Sequence, residues 1–166
     1  CKQIPKGWKN KKISEITNVT DCLHSKKPEI INDGQLFLEH ENIGENGKID
    51  LEKTSHISQS DYVLWTSRIE VHQGDIVVIN APAGHVAQIP YFLNGSIGRN
   101  LTALRPKLDC VQPTFLLEYF LSKYMRAEIY KKSTTGTILN SINVKNIESL
   151  SILMPPLEVI EKFEKI

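Results

Sequence analysis

The pattern of apolar and polar positions predicts short strands over much of this chain. Brief apolar runs bounded by Gly, Asn or Asp are typical of strands rather than helices. The clearest is Ile76–Ile79, a β-branched run after Gly74-Asp75 that indicates a strand buried on both faces. Further strands are predicted at residues 36–38, 47–51, 86–89, 100–105 and 147–153.

Helical spacing replaces the strand pattern in two internal segments. Residues 58–61 resemble a capping box, which predicts a helix that carries Tyr62, Leu64 and Trp65. Pro113 suits the first position of a second helix, which extends to about residue 130 with an interruption at Ser122. Apolar side chains fall on one face of that helix, at Phe115, Leu116, Tyr119, Phe120 and Tyr124.

The C-terminal segment changes pattern abruptly at Pro155-Pro156, where a strand is followed directly by an apolar-periodic helix. The helix positions Leu157, Ile160, Phe163 and Ile166 share one face. A helix of about three turns is marginal in water unless it packs on something. We therefore expect the start of a longer helix with a partner helix, and we divide the chain into one domain at 1–154 and the start of a spacer or coiled-coil helix at 155–166.

Together these elements predict a mixed α/β (α+β) domain. It contains a twisted multi-strand sheet with a few packed helices and ends in the start of a long spacer helix. The chain has 166 residues, of which 40% are hydrophobic, enough for one core. No apolar run is long enough to cross a bilayer, so no membrane association is expected.

Three widely spaced cysteines without a CxxC motif disfavour a disulfide framework or a zinc site. They fit a reducing compartment, and we expect a cytoplasmic protein.

The net charge of +1 conceals a segregated distribution. Residues 1–27 carry seven lysines against two acids, whereas residues 28–62 carry eight acids against two lysines. Residues 63–132 are again basic, with eight bases against five acids. Such a chain can bind a polyanion on one face with its acidic stretch turned away, although an ordinary mixed surface gives the same totals.

No catalytic or cofactor constellation is apparent. Glu39-His40-Glu41 is a poor metal site, because neighbours in a strand point to opposite faces. Cys22 and His24 are better interpreted as a small buried cysteine and a solvated histidine than as a thiolate pair. The turn after Ile79 lacks both common nucleotide-binding glycine patterns. The residues therefore indicate neither a metal site nor a nucleotide-binding loop in this chain.

Three polar loops are suited to nucleic acid. They are His24–Lys27, Asn80–His85 and Lys131–Gly136. Lysine and hydroxyl groups suit phosphate contacts, whereas Asn and Arg suit base edges. Gly84 would allow a close approach of the backbone. Each loop taken alone is still better explained as an ordinary surface loop.

A series of short motifs spans most of the chain, each weak alone but specific in order and spacing. They are Ile4-Pro-Lys-Gly-Trp8; Phe37-Leu38 with Glu41-Asn42-Ile43; Gly74-Asp75 with Ile76–Ile79; Gly84 with Val86-Ala87; Asn100-Leu101 through Leu104-Arg105-Pro106; Pro113 with Phe115-Leu116, Tyr119 and Leu121-Ser122; residues 136–139; and Leu150 through Pro155-Pro156-Leu157. In this arrangement the chain resembles one target-recognition domain of the specificity subunit of Type I restriction-modification systems. It departs from the family at His85, where a Lys or Arg is usual, and at Val159-Ile160, where Glu-Gln is usual.

The resemblance implies a non-catalytic domain that reads one half of a split double-stranded DNA site. In the family, two such domains are joined by two long antiparallel helices that set the spacing between the halves. The implied partners are the modification (methyltransferase) subunits, the restriction (translocase/nuclease) subunit and a second recognition domain. S-adenosylmethionine and ATP are expected on those partner subunits, with no cofactor here.

Loop placement and residue type give the candidate DNA contacts. For phosphates we expect Lys26, Lys27, Lys131, Lys132 and Ser133, with Thr134 beside them. For base edges we expect His24, Arg68, Asn80, His85 and Asn140. The partner helix would be met by Leu157, Ile160, Phe163 and Ile166.

Other functions remain open from the sequence. The same domain could belong to a fused restriction-methylation enzyme, or to a half-length specificity subunit that dimerises through its C-terminal helix. A protein-interaction module without DNA affinity is compatible with the charge pattern. A small hydrolase is disfavoured, because no nucleophile and base have a suitable spacing.

Overall fold

The computed structural model describes residues 4–135 and 139–166. Its strands are β1 (Lys9–Lys12), β2 (Thr17–Asp21), β3 (Gln35–Leu38), β4 (Ser55–Ile57), β5 (Ile76–Ile79), β6 (Val86–Gln88), β7 (Ser96–Ile97), β8 (Leu101–Pro106), β9 (Thr134–Thr135), β10 (Asn140–Ser141) and β11 (Ser151–Met154). Its helices are α1 (Ile13–Ile16), α2 (Gln59–Trp65), α3 (Pro113–Leu121), α4 (Lys123–Lys132), α5 (Val144–Glu148) and α6 (Leu157–Phe163), with a 3₁₀ turn at His40–Asn42. None of the helices in these ranges is long and apolar enough to span a membrane.

The fold is organised around a four-stranded sheet in the order β2-β8-β5-β6, with every neighbouring pair antiparallel. All four residues of β5 are buried. Ile76 and Val78 belong to one hydrophobic cluster, and Val77 and Ile79 belong to another. Alternate side chains of a strand point to opposite faces, so this strand is covered on both sides, as its unbroken apolar run predicts.

Helices cover one face of the central sheet. The cluster on that side includes buried residues of α3, α4, α5 and α6, such as Leu116, Met125, Ile147 and Ile160. A second sheet, in the order β4-β3-β7, contributes Leu38 and Ile97 to the other cluster. The predicted mixed α/β domain with packed helices is confirmed.

Both internal helices begin where their sequence signals place them. Ser58 caps α2 by accepting a hydrogen bond from the backbone N–H of Asp61 at 3.1 Å. The predicted interruption at Ser122 separates α3 from α4, because Ser122 has extended backbone angles. Its hydroxyl accepts from the N–H of Met125 at 3.2 Å and so starts the second helix.

Two predicted strands differ from the structure. Residues 47–51 form only isolated bridges, Ile43 with Ile49 and Lys48 with Gln88. The strand predicted at 147–153 starts only at Ser151, because the Asn143 side chain accepts from the N–H of Asn146 at 2.8 Å and caps helix α5. That last strand, β11, pairs with β1 rather than with the central sheet.

Helix α6 packs on the domain that precedes it. Ile160 was predicted to face a partner helix, but only 1% of its surface is exposed and it belongs to the helix-side core. The other three predicted partner-facing residues, Leu157, Phe163 and Ile166, keep exposures of 42%, 39% and 105%. Hydrophobic packing therefore continues across the boundary proposed between residues 154 and 155.

The Gly74-Asp75 motif before β5 has a structural explanation. Gly74 has φ +86°, and a Cβ there would lie 3.2 Å from Cγ of Pro113 at the start of α3. Asp75 is 1% exposed and accepts two hydrogen bonds from Arg105, at 2.9 and 2.7 Å, and one from the N–H of His72 at 3.0 Å. This pair joins β8 to the turn that starts β5, and it raises the pKa of Arg105.

We predict that Asp75→Ala lowers the free energy of unfolding by about 2 to 3 kcal/mol, measured by urea denaturation. The substitution removes the acceptor of the His72 N–H and two of the hydrogen bonds of Arg105, which keeps its bond to the carbonyl of Glu70 at 2.9 Å. This remaining bond and the partial exposure of Arg105 reduce the loss. Lys11→Ala, which breaks only the exposed pair with Glu15, is the control and should cost less than about 0.5 kcal/mol. Equal effects of the two substitutions would contradict the prediction.

Candidate nucleic-acid interface

Three connecting segments leave the central sheet at the same end. Strand β2 ends there at Asp21, paired with Thr102, and β8 begins there at Leu101, opposite Ile79 at the end of β5. Strand β6 begins beside the same edge, because Val86 pairs with Val78. The antiparallel order therefore places residues 22–27, 80–85 and 98–100 together, and we call them, with the hairpin described next, the loop end.

The hairpin formed by β9 and β10 docks on the loop that follows β5. The N–H of Ala83 donates to the carbonyl of Asn140 at 2.9 Å, and the N–H of Ile142 donates to the carbonyl of Asn80 at 2.9 Å. The hairpin that follows Lys131 thereby contacts the predicted polar loop at Asn80–His85. Gly136, at the end of that loop, lies outside the described residues.

Three hollows lie at the loop end, and the second and third share one lining residue. The first, of about 360 Å³, contains His85, Arg126, Tyr130, Ser133 and Asn140 among its lining residues. The second contains His24, Asn80, Asn100, Ser141 and Lys145. The third contains Lys27, Arg99 and Asn100, so it borders the second. The first hollow is lined by Asn140 and the second by Ser141, which are adjacent residues of β10 with side chains on opposite faces of the strand. Candidates that are far apart in sequence therefore lie around the same end of the sheet.

The segment after β2 is held by charged contacts. His24 Nε2 lies 2.7 Å from Asp21 Oδ2, and Lys27 forms an ion pair with Glu39. Arg68 donates to the carbonyl of Cys22 at 2.9 Å and lies 3.9 Å from the Asp21 carboxylate. Arg68 therefore helps to position this segment, and the base contact predicted for it stays a prediction.

The side chains of Asp21, Cys22 and His24 place possible metal ligands within 4.8 Å of one another. Their contacts within the protein explain the cluster without an ion, since His24 pairs with Asp21 and Arg68 adds a positive charge beside it. Burial raises the pKa of the Cys22 thiol, and the charge of Asp21 adds to the effect. A raised pKa favours the thiol over the thiolate that a metal or a nucleophile requires.

Asn80 is used inside the protein. Its Nδ2 donates to the carbonyl of Ile142 at 3.0 Å, and its Oδ1 accepts from the hydroxyl of Thr102 at 2.9 Å. These bonds join the end of β5 to β8 and to the segment after β10. The structure therefore gives Asn80 a supporting role, and the base contact predicted from its loop position stays a prediction.

The residues of the Lys131 loop differ in whether their side-chain polar groups are free to contact a phosphate. Lys131 is 70% exposed and pairs with Glu128 at 3.1 Å, a surface contact weak enough to exchange for a phosphate. Lys132 instead donates to the hydroxyl of Ser149 at 3.1 Å and is partly buried. The hydroxyl of Ser133 donates to the carbonyl of Ile129, and that of Thr134 donates to the carbonyl of Ser141.

Sequence reasoning missed several cations of the loop end. Arg99, Arg126 and Lys145 are exposed and line the hollows, and with Lys26 they have no acidic partner within residues 4–135 and 139–166. Arg99 precedes the strand at 101–106, which is a signal that a loop-based search could have used. Arg126 is on helix α4, where only the tertiary fold brings it opposite His85.

The acidic stretch is not fully turned away from this end, contrary to the prediction from charge. Glu39 pairs with Lys27, and Glu45 lines the first hollow with Arg126. Acidic groups beside base-contacting positions can accept from cytosine amino groups and can also exclude poorly placed phosphates. The loop end is therefore a mixed polar surface with a cationic excess.

Comparison with known proteins identifies the class. The profile of the family described as the Type I restriction modification DNA specificity domain matches residues 5–163, and the chain belongs to this family. A specificity subunit of the type I restriction enzyme MjaX, from Methanocaldococcus jannaschii, is 28% identical over 176 aligned residues. The alignment covers 99% of this chain but only 39% of that relative.

Solved structures share the fold. The HsdS subunit from Thermoanaerobacter tengcongensis has a TM-score of 0.69 at 22% identity, covering 96% of this chain and 36% of that one. A chain from a structural study of assembly and conformational transition in the type I R-M system has a TM-score of 0.69 at 21% identity, covering 97% and 37%. The S subunit from M. genitalium has a TM-score of 0.60 at 15% identity, covering 93% and 36%.

The family match confirms the predicted target-recognition domain of a Type I specificity subunit and its non-catalytic role in DNA recognition. The fused enzyme and the interaction module are not favoured. The chain spans less than half the length of the relatives it matches.

We predict that Asn80→Ala destabilises the domain by about 1 to 3 kcal/mol, because it leaves the Ile142 carbonyl and the Thr102 hydroxyl without a partner. It should also weaken binding to every DNA sequence equally, since it loosens a supporting contact. Asn10→Ala, at an exposed position of β1, is the matched control and should change stability by less than about 0.5 kcal/mol. Unchanged stability with lost preference at a single base position would instead assign Asn80 to base reading.

Proposed function

We propose that the loop end binds double-stranded DNA and reads one half of a bipartite target for a Type I restriction-modification complex. The observation that supports this most strongly is the convergence of three loops, one hairpin and four cations at one end of the sheet, where none of the four has an acidic partner in the part of the chain that the structure describes. The sequence alone did not show that these loops and cations lie together.

Phosphate contacts are proposed for the exposed cations around the second and third hollows. Lys26, Arg99 and Lys145 are the main candidates, and Lys131 can join them by exchanging its weak surface pair with Glu128 for a phosphate. Lys27 would first have to leave Glu39, whose side chain is only 18% exposed. Each neutralised phosphate releases bound counterions, so affinity falls as salt rises. These contacts fix the register of the domain on the duplex and carry no sequence information themselves.

Base reading is proposed for the first hollow. Arg126 can contact guanine with two hydrogen bonds, and Asn140 can do the same with adenine. His85 lies in this hollow with both of them and can donate or accept through its ring. Gly84 has φ +118°, and a Cβ there would meet no atom within 4 Å, so the backbone beside His85 is open to an approaching duplex.

The proposed partners follow from this role. The domain itself would carry no cofactor. S-adenosylmethionine would be held by modification subunits, and ATP by a restriction subunit. A second recognition domain, connected through helices that α6 begins, would read the other half-site. The complex would work in the cytoplasm, where it meets DNA that enters the cell.

We predict that the double variant Lys26→Ala/Arg99→Ala weakens binding to all duplexes by a similar factor. The slope of log affinity against log salt should become shallower by about 1.8, from about 0.9 per lost phosphate contact. The measurement is fluorescence anisotropy from 50 to 200 mM salt with target and random duplexes, using the assembled methyltransferase.

Lys9→Ala/Lys12→Ala is the control: it removes the same charge from β1, which leads through α1 to the start of β2, the end of that strand away from Asp21. It should leave the slope unchanged. Equal slopes for both double variants would remove the loop end from the interface. Absence of any DNA binding by the unaltered complex at low salt would instead support a protein-interaction module.

We predict that Arg126→Ala relaxes sequence preference at one base pair. The rate of adenine methylation on the target should fall about 5- to 150-fold, towards the rates of duplexes substituted at that position. A panel of single-substituted duplexes measures the effect. Arg99→Ala should lower all members of the panel evenly, and an even loss for Arg126→Ala would reassign that residue to the phosphates.

A further inference from the structure

Helix α6 is held on the recognition domain by three contacts, made by residues 160, 163 and 164 from one face of the helix. A helix of seven residues does not persist in water by itself, so its direction depends on what it packs against. Ile160 supplies the first contact by filling the helix-side core, where it is 1% exposed. One buried side chain holds a helix in place but leaves it free to pivot.

The second contact is between aromatic rings. Phe163, one turn beyond Ile160, meets Phe115 of α3 edge to face, with ring centroids 5.9 Å apart and planes at 88°. Phe115 in turn packs on the helix-side core. This geometry is the favoured one for aromatic pairs and restricts rotation of α6 about its own axis.

The third contact completes the start of α3. The Gln112 side chain makes no capping hydrogen bond, although helix N-termini have unpaired N–H groups. Glu164 Oε1 accepts from the N–H of Phe115 at 3.1 Å and supplies this bond from α6. A carboxylate at a helix N-terminus also interacts favourably with the helix dipole. Phe115 is thus held through both its ring and its backbone.

The segment before α6 is also restricted. Pro155 and Pro156 have fixed φ angles, and each restricts the residue that precedes it. Gly7, with φ +87°, would place a Cβ 3.2 Å from Cγ of Pro156, so the N-terminal segment packs closely against the turn. Few soft torsions remain between β11 and α6.

We propose that Ile160, Phe163 and Glu164 lock the direction of α6 on the domain, and that this lock sets the spacing between the two half-sites of the DNA target. The inference rests on the proposed function, in which α6 begins a helix leading towards a second recognition domain. Phe163 and Glu164 would be positioning residues for sequence recognition that touch no DNA.

A small change in the direction of α6 at its base produces a large displacement at the far end of a long helix. A helix of about 20 residues is about 30 Å long, so a 10° swing at its base moves the far end by about 5 Å. Base pairs are spaced by about 3.4 Å, so such a swing exceeds one base-pair step. A loosened lock should therefore broaden the accepted spacing while base preference within each half-site stays the same.

The test compares methylation rates of the assembled methyltransferase on duplexes with the natural spacing and with one or two base pairs added or removed. For Phe163→Ala/Glu164→Ala, the ratio of the rate at natural spacing to the rate at changed spacing should fall by about threefold or more. Glu161→Ala, on the same helix, is the charge-matched control and should keep the original ratio. Glu164→Gln retains an acceptor oxygen and should lie close to the unaltered complex.

A panel of single-base substitutions at natural spacing separates the two proposals. An unchanged spacing ratio in a double variant that still selects its half-site would overturn the lock. If the unaltered complex showed no preference among the single-base substitutions of its half-site, the proposed function would be overturned instead. If the double variant does not assemble, the same ratio of rates at natural and changed spacing is measured for Glu164→Ala and for Glu164→Gln. Equal ratios for these two single variants would also overturn the lock.

Discussion

Burial of β5 on both faces is the constraint on which the rest of the molecule depends. Full burial of each of its four apolar side chains favours folding by about 1.5 to 3 kcal/mol before entropy is considered. A strand with no polar face has to be covered twice, by helices on one side and by the second sheet on the other. Both layers therefore meet at Ile76–Ile79, and the direction of this strand fixes where its loops emerge.

The loop end follows from that arrangement. In an antiparallel sheet the end of one strand lies beside the start of its neighbour, so the segments after Asp21 and Ile79 meet the segment before Leu101. Hydrogen bonds of Asn80 then hold the hairpin against this edge. A rigid sheet thus presents several polar segments at defined positions, which suits recognition of a duplex with fixed groove dimensions.

The same rigid body extends to the C-terminus of the described chain. Helix α3 contacts the turn before β5 at Gly74 and receives α6 at Phe115. The loop end and α6 are therefore connected through packed elements, without a flexible linker.

Local signals in the sequence determined the strands and helices whose formation depends on residues close together in the chain. The run at Ile76–Ile79 gave a buried strand, and Ser58 and Ser122 gave helix starts, because these signals act over one or two turns of chain. Order and spacing of weak motifs were enough to indicate the family. Tertiary structure alone decided that Asn80 supports a hairpin, that Arg126 faces the loop end and that Ile160 belongs to the domain core. Each of these assignments depends on a partner distant in sequence, and no local pattern records where that partner lies.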